Sequence, residues 1–259
     1  MPSPFNYDLL REDWLALSAR VERAAAMSGR DPRAVSVLVV SKTFGPEAVR
    51  AVHALGQRAF GENYVQEAVA KMDATADLPG IEWHLIGPLQ GNKAKLAAAR
   101  FACVQTIDRL PIAERLARSR PAGMAALDVC VQVNISGEAS KSGVSPADAL
   151  PLARAVARLP QLRLRGLMGI SEASADVERR RSQFRRLRQC FVACREAGMP
   201  VDTLSMGMSA DLEAAIAEGA TLLRVGSALF GDRGARGAPD PGPRLPEPDP
   251  GILLKRSDA

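Results

Sequence analysis

Val35-Ser36-Val37-Leu38-Val39-Val40-Ser41-Lys42-Thr43 is an aliphatic run that ends in two hydroxyl residues with a lysine between them. A short run this rich in β-branched side chains is typical of a buried strand. Residues 6–27 before it and residues 46–55 after it both repeat their apolar side chains at helical spacing. The order of helix, strand and helix around this stretch is the first sign of the fold.

The same alternation continues almost to residue 230 and decides the fold class. Alternation of strands and helices predicts a parallel sheet covered by helices. Eight repeats within roughly 200 residues fit a closed barrel better than an open sheet. We therefore predict an α/β fold, a single (β/α)8 TIM-type barrel preceded by an N-terminal helix. The predicted strands are Val35–Val40, Arg58–Phe60, Glu82–Ile86, Ala102–Thr106, Leu127–Ile135, Leu162–Leu167, Thr203–Ser205 and Leu222–Val225. The predicted helices are Asn6–Met27, Pro46–Leu55, Tyr64–Met72, Gly91–Ala99, Arg109–Arg118, Ser145–Arg158, Ala175–Ala197 and Ala210–Glu218.

The C-terminal stretch has a different composition. From Gly234 onward, proline and glycine are too dense for helix or sheet. We expect a barrel domain over residues 1–233 and a disordered Pro/Gly-rich tail over residues 234–259.

Composition limits the class of protein further. No apolar run approaches the ~20 residues needed to span a bilayer, so we expect no membrane partner. Residues 1–10 lack the basic and apolar regions of a signal peptide. Four cysteines in 259 residues do not suggest a disulfide scaffold. We expect a cytoplasmic location. The net charge of +5 is compatible with an anionic ligand or with nucleic acid.

Lys42 is the first candidate for chemistry. An ammonium directly after buried aliphatic residues must be solvated or paired. Burial lowers the pKa of an amine, and a neutral amine is what imine formation requires. The alternative is a lysine that extends out of the barrel mouth into solvent. Position alone favours that alternative.

Two later loops favour the chemical interpretation. The seventh predicted strand is followed by Ser205-Met206-Gly207-Met208-Ser209, and the eighth ends in Arg224-Val225-Gly226-Ser227. Glycine lets backbone N–H groups approach a phosphate, hydroxyls donate hydrogen bonds, and a helix N-terminus adds positive potential. Each loop alone also fits an ordinary turn. Together with a lysine facing them, the two loops indicate pyridoxal 5'-phosphate (PLP).

Further motifs occur in a fixed order along the chain. They are Ser41-Lys42-Thr43, Phe60-Gly61-Glu62-Asn63-Tyr64-Val65-Gln66-Glu67, Trp83-His84-Leu85-Ile86-Gly87-Pro88-Leu89-Gln90-Gly91-Asn92-Lys93, Gln132-Val133-Asn134-Ile135, Ser140-Lys141-Ser142-Gly143, Arg165-Gly166-Leu167-Met168, Leu204-Ser205-Met206-Gly207-Met208-Ser209 and Arg224-Val225-Gly226. From Phe5 to about Gly231, the chain closely resembles the PLP homeostasis protein family. That family shares its barrel with the N-terminal domain of alanine racemase.

The resemblance implies a cofactor site and a role. It implies PLP as a Schiff base on Lys42, Arg224 facing the pyridine nitrogen, and a function in binding and supplying PLP without established catalytic turnover. Apo PLP-dependent enzymes are then the candidate recipients, and we expect a monomer or weak dimer. The phosphate is expected near Ser205, Ser209, Gly226 and Ser227, and the other predicted cofactor-binding residues are Asn63, Met168 and Met208.

Individual residues keep alternative interpretations. Asn63 is equally suited to bonding the PLP ring hydroxyl and to capping the following helix. Arg224 can instead form a salt bridge across the barrel mouth. Lys141 is the expected secondary acceptor of PLP. His84 is interpreted as a hydrogen-bonded structural histidine, because a chain with two histidines is a poor candidate for a zinc site.

Two other functions remain open on the sequence. A PLP-dependent amino-acid racemase would need a second domain with an opposing tyrosine base, whereas Tyr7 and Tyr64 both precede the third predicted strand. Six arginines over residues 178–188 can contact nucleic-acid phosphates. We favour a solvated helix face there, with Phe184, Leu187 and Phe191 as its buried stripe, and we expect no nucleic-acid partner.

Overall fold

The fold is a closed parallel β-barrel surrounded by helices. A computed structural model describes residues 6–138 and 141–231. The strands pair in chain order, and β1 also pairs in parallel with β8, which closes the barrel. The eight strands are β1 (Ser36–Val40), β2 (Ala59–Glu62), β3 (Glu82–Leu85), β4 (Cys103–Ile107), β5 (Leu127–Val133), β6 (Leu162–Gly169), β7 (Thr203–Ser205) and β8 (Leu222–Val225). The predicted TIM-type barrel and its eight strands are confirmed, with ends that shift by two residues or fewer.

Helices follow the strands as predicted, and one further short helix, which the sequence did not predict, follows β8. They are α1 (Tyr7–Met27), α2 (Pro46–Ala54), α3 (Val65–Ala74), α4 (Ala94–Arg100), α5 (Leu110–Ser119), α6 (Pro146–Ala157), α7 (Val177–Glu196), α8 (Leu212–Ala217) and α9 (Ser227–Phe230). A 3₁₀ turn over Gly91–Lys93 leads into α4, and another covers Pro32–Ala34 before β1. Side-chain caps start α1, α6 and α7: the side chains of Asn6, Ser145 and Asp176 accept hydrogen bonds from backbone N–H groups of the first turn.

Each strand separates two environments. Outward-facing side chains such as Val39, Phe60 and Leu85 are fully buried against the helices and belong to one large apolar cluster. The alternate residues face the barrel interior, where Leu38 is also fully buried. This two-sided burial explains why the strands read as continuous apolar runs.

The barrel interior contains a chain of polar side chains from four strands. The Gln105 amide nitrogen lies 2.9 Å from His84 Nδ1, and Ser205 Oγ donates to Gln105 Oε1 over 2.6 Å. Arg224 Nη1 donates to Ser205 Oγ over 2.7 Å, and Arg224 Nη2 donates to the carbonyl of Gly169 over 2.9 Å. His84 is thus the hydrogen-bonded structural histidine that the sequence predicted.

The arginine-rich helix α7 packs as expected on its apolar stripe, with Phe184 and Leu187 fully buried and Phe191 nearly so. The six arginines within residues 178–188 also have partners within the chain, which is more than a solvated face provides. Arg181, Arg185 and Arg188 surround the buried carboxylate of Glu218. Arg179 pairs with Glu172, while Arg180 and Arg186 donate to the carbonyls of Ala210 and Ile135.

One prediction falls outside the described residues, and another can be checked within them. The predicted disordered tail over residues 234–259 lies outside them, so the domain boundary near residue 233 stays a prediction. Every helix within the described residues is too short or too polar to span a bilayer.

The environment of His84 predicts a pH-dependent stability. Burial lowers the pKa of His84 to about 4. The unfolded imidazole takes up a proton below about pH 6.5, so the stabilisation is complete above that pH and is lost as the pH falls toward 4. The free energy of unfolding therefore falls between pH 7.5 and 4, and we expect His84→Gln to make this fall smaller by at most about 3 kcal/mol. Urea unfolding across this pH range measures it.

His53→Gln is the matched control, since His53 is the other histidine of the chain. If His53→Gln reduced the fall in unfolding free energy at acid pH as much as His84→Gln does, the assignment to His84 would be wrong. It would also be wrong if neither variant reduced that fall.

Candidate functional site

A cavity of about 560 Å³ opens among the loops that follow the carboxyl ends of the strands. This is the end at which barrels of this type carry their sites. Seven of the nine predicted cofactor-binding residues line it: Lys42, Asn63, Met208, Ser209, Arg224, Gly226 and Ser227.

The charge of the cavity is one-sided. Lys42, Lys141 and Arg224 line it, and no carboxylate is part of the lining among the residues that the structure describes. Gln132 and Asn134 add amide groups from the end of β5. Three cations in one lining suit an anionic ligand that also offers polar atoms for hydrogen bonding.

Barrel closure determines where Lys42 lies. β1 pairs with β8, with Val39 beside Val225, so Lys42 follows the strand that adjoins the Gly226–Ser227 loop. The approach is close, because a Cβ atom on Gly226 would lie 3.1 Å from the carbonyl oxygen of Val40. The lysine and this loop are therefore neighbours on adjacent strands.

The loops after β7 and β8 are tied to each other. The backbone N–H of Ala228 donates to Ser209 Oγ over 3.1 Å. The N–H of Met208 donates to a carboxylate oxygen of Asp211 over 2.6 Å, which fixes the turn before α8. Gly207 has φ +92°, and a Cβ there would lie 2.5 Å from the Cβ of Ala215. The small residues noted in the sequence are thus required by close packing at this turn.

The N-terminal helix supports the same region. Arg20 of α1 donates through Nη1 to the carbonyl of Ser209 over 2.9 Å and forms an ion pair with Glu213 of α8. Helix α1 therefore contributes to the geometry of the cavity wall without lining the cavity.

Arg224 is held rigidly at the cavity. The residue is 4% exposed, and its guanidinium donates hydrogen bonds to the hydroxyl of Ser205 and the carbonyl of Gly169. The salt bridge considered from the sequence does not form with any described residue. Burial lowers the pKa of Arg224 to about 10, which leaves the guanidinium protonated at neutral pH. Arg224 consequently offers a fixed positive charge and hydrogen-bond donors only.

Two predicted site residues do not reach the cavity. Ser205 and Met168 are fully buried, lie in register on β7 and β6, and are absent from the lining. The Ser205 hydroxyl donates to Gln105 and accepts from Arg224, so it fixes Arg224 and is not placed to contact a phosphate. The phosphate role expected for Ser205 is therefore corrected to a supporting role beneath the site.

Asn63 lines the cavity directly after β2. The alternative role as a helix cap is wrong, because α3 has Tyr64 at its N-cap and no side-chain cap bond. Asn63 is packed closely against the loop after β3, where a Cβ on Gly87 would lie 2.2 Å from the Asn63 carbonyl oxygen. That contact explains the glycine in the Ile86-Gly87-Pro88 motif.

Gln132, Asn134 and Gln105 are the polar residues that the sequence reasoning did not assign. Gln132 and Asn134 line the cavity, and Gln105 bonds the residue that holds Arg224. A signal was available, because each is an uncharged polar residue within or directly after a mainly apolar strand. Such residues need hydrogen-bond partners in a barrel interior.

The chain has similar counterparts among known proteins. The family model for the alanine racemase N-terminal domain matches residues 13–234. A Pseudomonas aeruginosa protein named pyridoxal phosphate homeostasis protein is 53% identical over 224 residues, which cover 86% of this chain and 96% of that protein. The Escherichia coli protein of the same name is 47% identical over 216 residues, covering 83% and 92% of the two chains.

Solved structures agree with these relatives. PipY of Synechococcus elongatus with PLP bound superposes with a TM-score of 0.72 at 36% identity, covering 82% of this chain and 99% of PipY. A Clostridium difficile alanine racemase shares the fold with a TM-score of 0.69 at 14% identity, covering 88% of this chain and 58% of the racemase. By the extent of these matches, the chain belongs to the pyridoxal phosphate homeostasis protein family, whose barrel is that of the alanine racemase N-terminal domain.

Proposed function

We propose that this protein binds PLP as a Schiff base on Lys42 and serves intracellular PLP homeostasis without turning over amino acids. The observation that carries the proposal is one cavity with Lys42 at one wall, the phosphate-type loops beside it, and a buried guanidinium at its base. The names of the curated relatives and the PLP-bound PipY structure support it.

The residues present fit the chemistry of PLP. A phosphate dianion suits the backbone and hydroxyl groups of Ser209, Gly226 and Ser227 in a cavity that no described carboxylate lines. Arg224 offers donors to an unprotonated ring nitrogen. Asn63 offers an amide to the ring hydroxyl, and Met208 offers apolar surface. The cavity volume of about 560 Å³ leaves room beyond the ring.

Lys42 provides the covalent attachment. PLP supplies an aldehyde that condenses with an amine, joining the lysine nitrogen to the aldehyde carbon and releasing one water molecule. Hydrolysis reverses this condensation, so attachment at Lys42 allows both storage and release. Lys141 also lines the cavity and is the expected secondary acceptor.

Two features argue against turnover. An arginine that only donates keeps the ring nitrogen unprotonated, which makes the ring a poorer electron sink for a substrate carbanion. The described lining also contains no tyrosine, histidine or carboxylate to act as an opposing base. Tyr7 and Tyr64 are 51% and 60% exposed and lie outside the lining, so the racemase alternative has no tyrosine base in the cavity of a single chain.

The release of PLP to apo PLP-dependent enzymes is the function that this site supports. We expect the protein to act in the cytoplasm as a monomer or weak dimer. Nucleic acid is disfavoured as a partner, because the six arginines within residues 178–188 are already engaged with Glu218, Glu172 and backbone carbonyls.

The first of three predictions from the proposed function concerns the covalent bond. Borohydride reduction of the PLP-loaded protein, followed by peptide mapping, should place the pyridoxyl group on Lys42. The Lys42→Ala protein should not show the visible absorbance of the Schiff base when PLP is added to saturation. Lys95→Ala is the matched control, an exposed lysine of α4. Full labelling of the Lys42→Ala protein with unchanged absorbance would refute the attachment site, whereas weak labelling of Lys141 is compatible with it.

The second prediction concerns the phosphate. Pyridoxal should bind much more weakly than PLP, since each charge-assisted bond is worth on the order of 1.5–3 kcal/mol. Ser227→Ala should lower the affinity for PLP by about tenfold or more and leave the affinity for pyridoxal unchanged, as measured by equilibrium titration. Equal affinity for PLP and pyridoxal would contradict a phosphate site at Ser209, Gly226 and Ser227.

Replacing Arg179, Arg180 and Arg181 together with glutamine gives the control for nonspecific charge, and PLP binding should not change. Tight, salt-sensitive binding of DNA that this replacement abolishes would instead support a nucleic-acid function.

The third prediction concerns turnover. Incubation with L-alanine or L-serine in deuterated water should show negligible exchange of the α-proton by NMR. Exchange at an ordinary enzymatic rate, on the order of 1–10³ per second, would overturn the non-enzymatic assignment. Arg224→Glu should raise the exchange rate if the ring nitrogen is its partner, provided that thermal melting shows a folded variant.

A further inference from the structure

A buried ion pair lies behind Lys42, outside the cavity lining. Lys71 Nζ of α3 is 2.5 Å from Glu62 Oε1 at the end of β2, and their side chains are 8% and 0% exposed. Glu62 Oε2 is buried without a hydrogen-bond partner in the structure. Burying two charges carries a large desolvation cost, and hydrophobic residues of similar volume often replace such a pair without loss of stability. Stability alone is therefore a weak explanation for these two residues.

Both charged groups contact the residue that precedes Lys42. Lys71 Nζ donates to the carbonyl of Ser41 over 2.8 Å, and Ser41 Oγ donates to Glu62 Oε1 over 2.6 Å. The N–H of Ser41 donates to the carbonyl of Gly61 over 3.2 Å. The backbone and the side chain of Ser41 are thus both fixed to β2 and α3.

The residue after Lys42 has an unfavourable backbone conformation. Thr43 has φ +70°, a left-handed conformation that is rare for a β-branched residue. The N–H of Phe44 donates to the carbonyl of Ser41, which is the same oxygen that Lys71 contacts. The turn that carries Lys42 is therefore strained, and the buried pair anchors its first residue.

We propose that Lys71 and Glu62 are positioning residues for Lys42. They hold Ser41 so that the strained turn presents the Lys42 amine toward the cavity. This inference rests on the proposed function, since it assigns the pair to Schiff-base formation. The physical reason is that a reaction between two bound groups depends steeply on how well one is held against the other.

The test separates covalent attachment from binding. Stopped-flow absorbance with PLP gives the rate of Schiff-base formation. Titration with pyridoxine 5'-phosphate, which has no aldehyde, gives the affinity of the cavity for the ring and phosphate. The variant is Glu62→Met/Lys71→Met, which removes both charges together and leaves neither buried alone. Asp73→Asn is the control, because it removes an exposed ion pair of the same helix α3 with Arg100.

We expect the double variant to form the Schiff base at least ~10-fold more slowly, with the affinity for pyridoxine 5'-phosphate within about twofold of wild type. Asp73→Asn should match the wild type in both measurements. An unchanged rate in a folded double variant would overturn the proposal. An equal loss of rate and of pyridoxine 5'-phosphate affinity would also overturn it, because it would indicate a general disturbance of the cavity.

Ser41→Ala tests the same proposal if the double variant does not fold. It removes the Ser41 hydroxyl bond to Glu62 and keeps the ion pair, and we expect slower Schiff-base formation with unchanged affinity for pyridoxine 5'-phosphate. A wild-type rate in Ser41→Ala would then overturn the proposal. Failure of the wild-type protein to form a Schiff base at Lys42 is a separate result, which would reject the proposed function itself.

Discussion

The parallel pairing of β1 with β8 is the constraint on which the site depends. Ser36 to Val39 lie beside Leu222 to Val225, so the first and last strands of the barrel become neighbours. The pairing joins segments that are almost 190 residues apart in the chain, and it forms only when the six intervening strands are in register. Lys42 and the Gly226–Ser227 loop meet for that reason. An open sheet with the same strands would leave these two groups at opposite edges.

Polar groups within the barrel make this geometry rigid. Arg224 is buried at a high desolvation cost, and it is satisfied by Ser205 and by the carbonyl of Gly169. Ser205 in turn is bonded to Gln105, which meets His84. A cation fixed in this way provides a constant charge for a ligand and does not need to reorganise when a ligand enters. The cost of burying the chain of polar groups is offset by the mutual hydrogen bonds.

The combination of features suits a protein that holds a reactive cofactor and gives it up again. The cavity is lined by a lysine, by residues of the loops after β7 and β8, and by a guanidinium that hydrogen bonds hold in place. It does not supply a tyrosine, histidine or carboxylate from the described part of the chain as a base for substrate chemistry. The fold itself is shared with alanine racemase, so the fold alone does not decide between binding and turnover.

Much of the fold could be predicted from the sequence because its signals are local. Apolar runs predicted all eight strands, and helical periodicity predicted the helices between them. The lysine and the two glycine-containing loops indicated the cavity. The errors concern side-chain direction and partners. Ser205 and Met168 belong to motifs of the site, yet both lie on the strands below the cavity, and a hydroxyl such as that of Ser205 gives no sign of its partner in the sequence. Asn63 has the residue type of a helix cap, but α3 begins one residue later. The Glu62–Lys71 pair joins two elements through burial, which periodicity does not reveal.

The central claim is that one cavity holds PLP between Lys42, the loops after β7 and β8, and Arg224. A crystal structure of the protein after addition of PLP tests it most directly. The account predicts electron density continuous with Lys42 Nζ, the phosphate against Ser209, Gly226 and Ser227, and the ring nitrogen facing the guanidinium of Arg224. Density for PLP elsewhere on the protein, or in this cavity with the phosphate away from those loops, would contradict it.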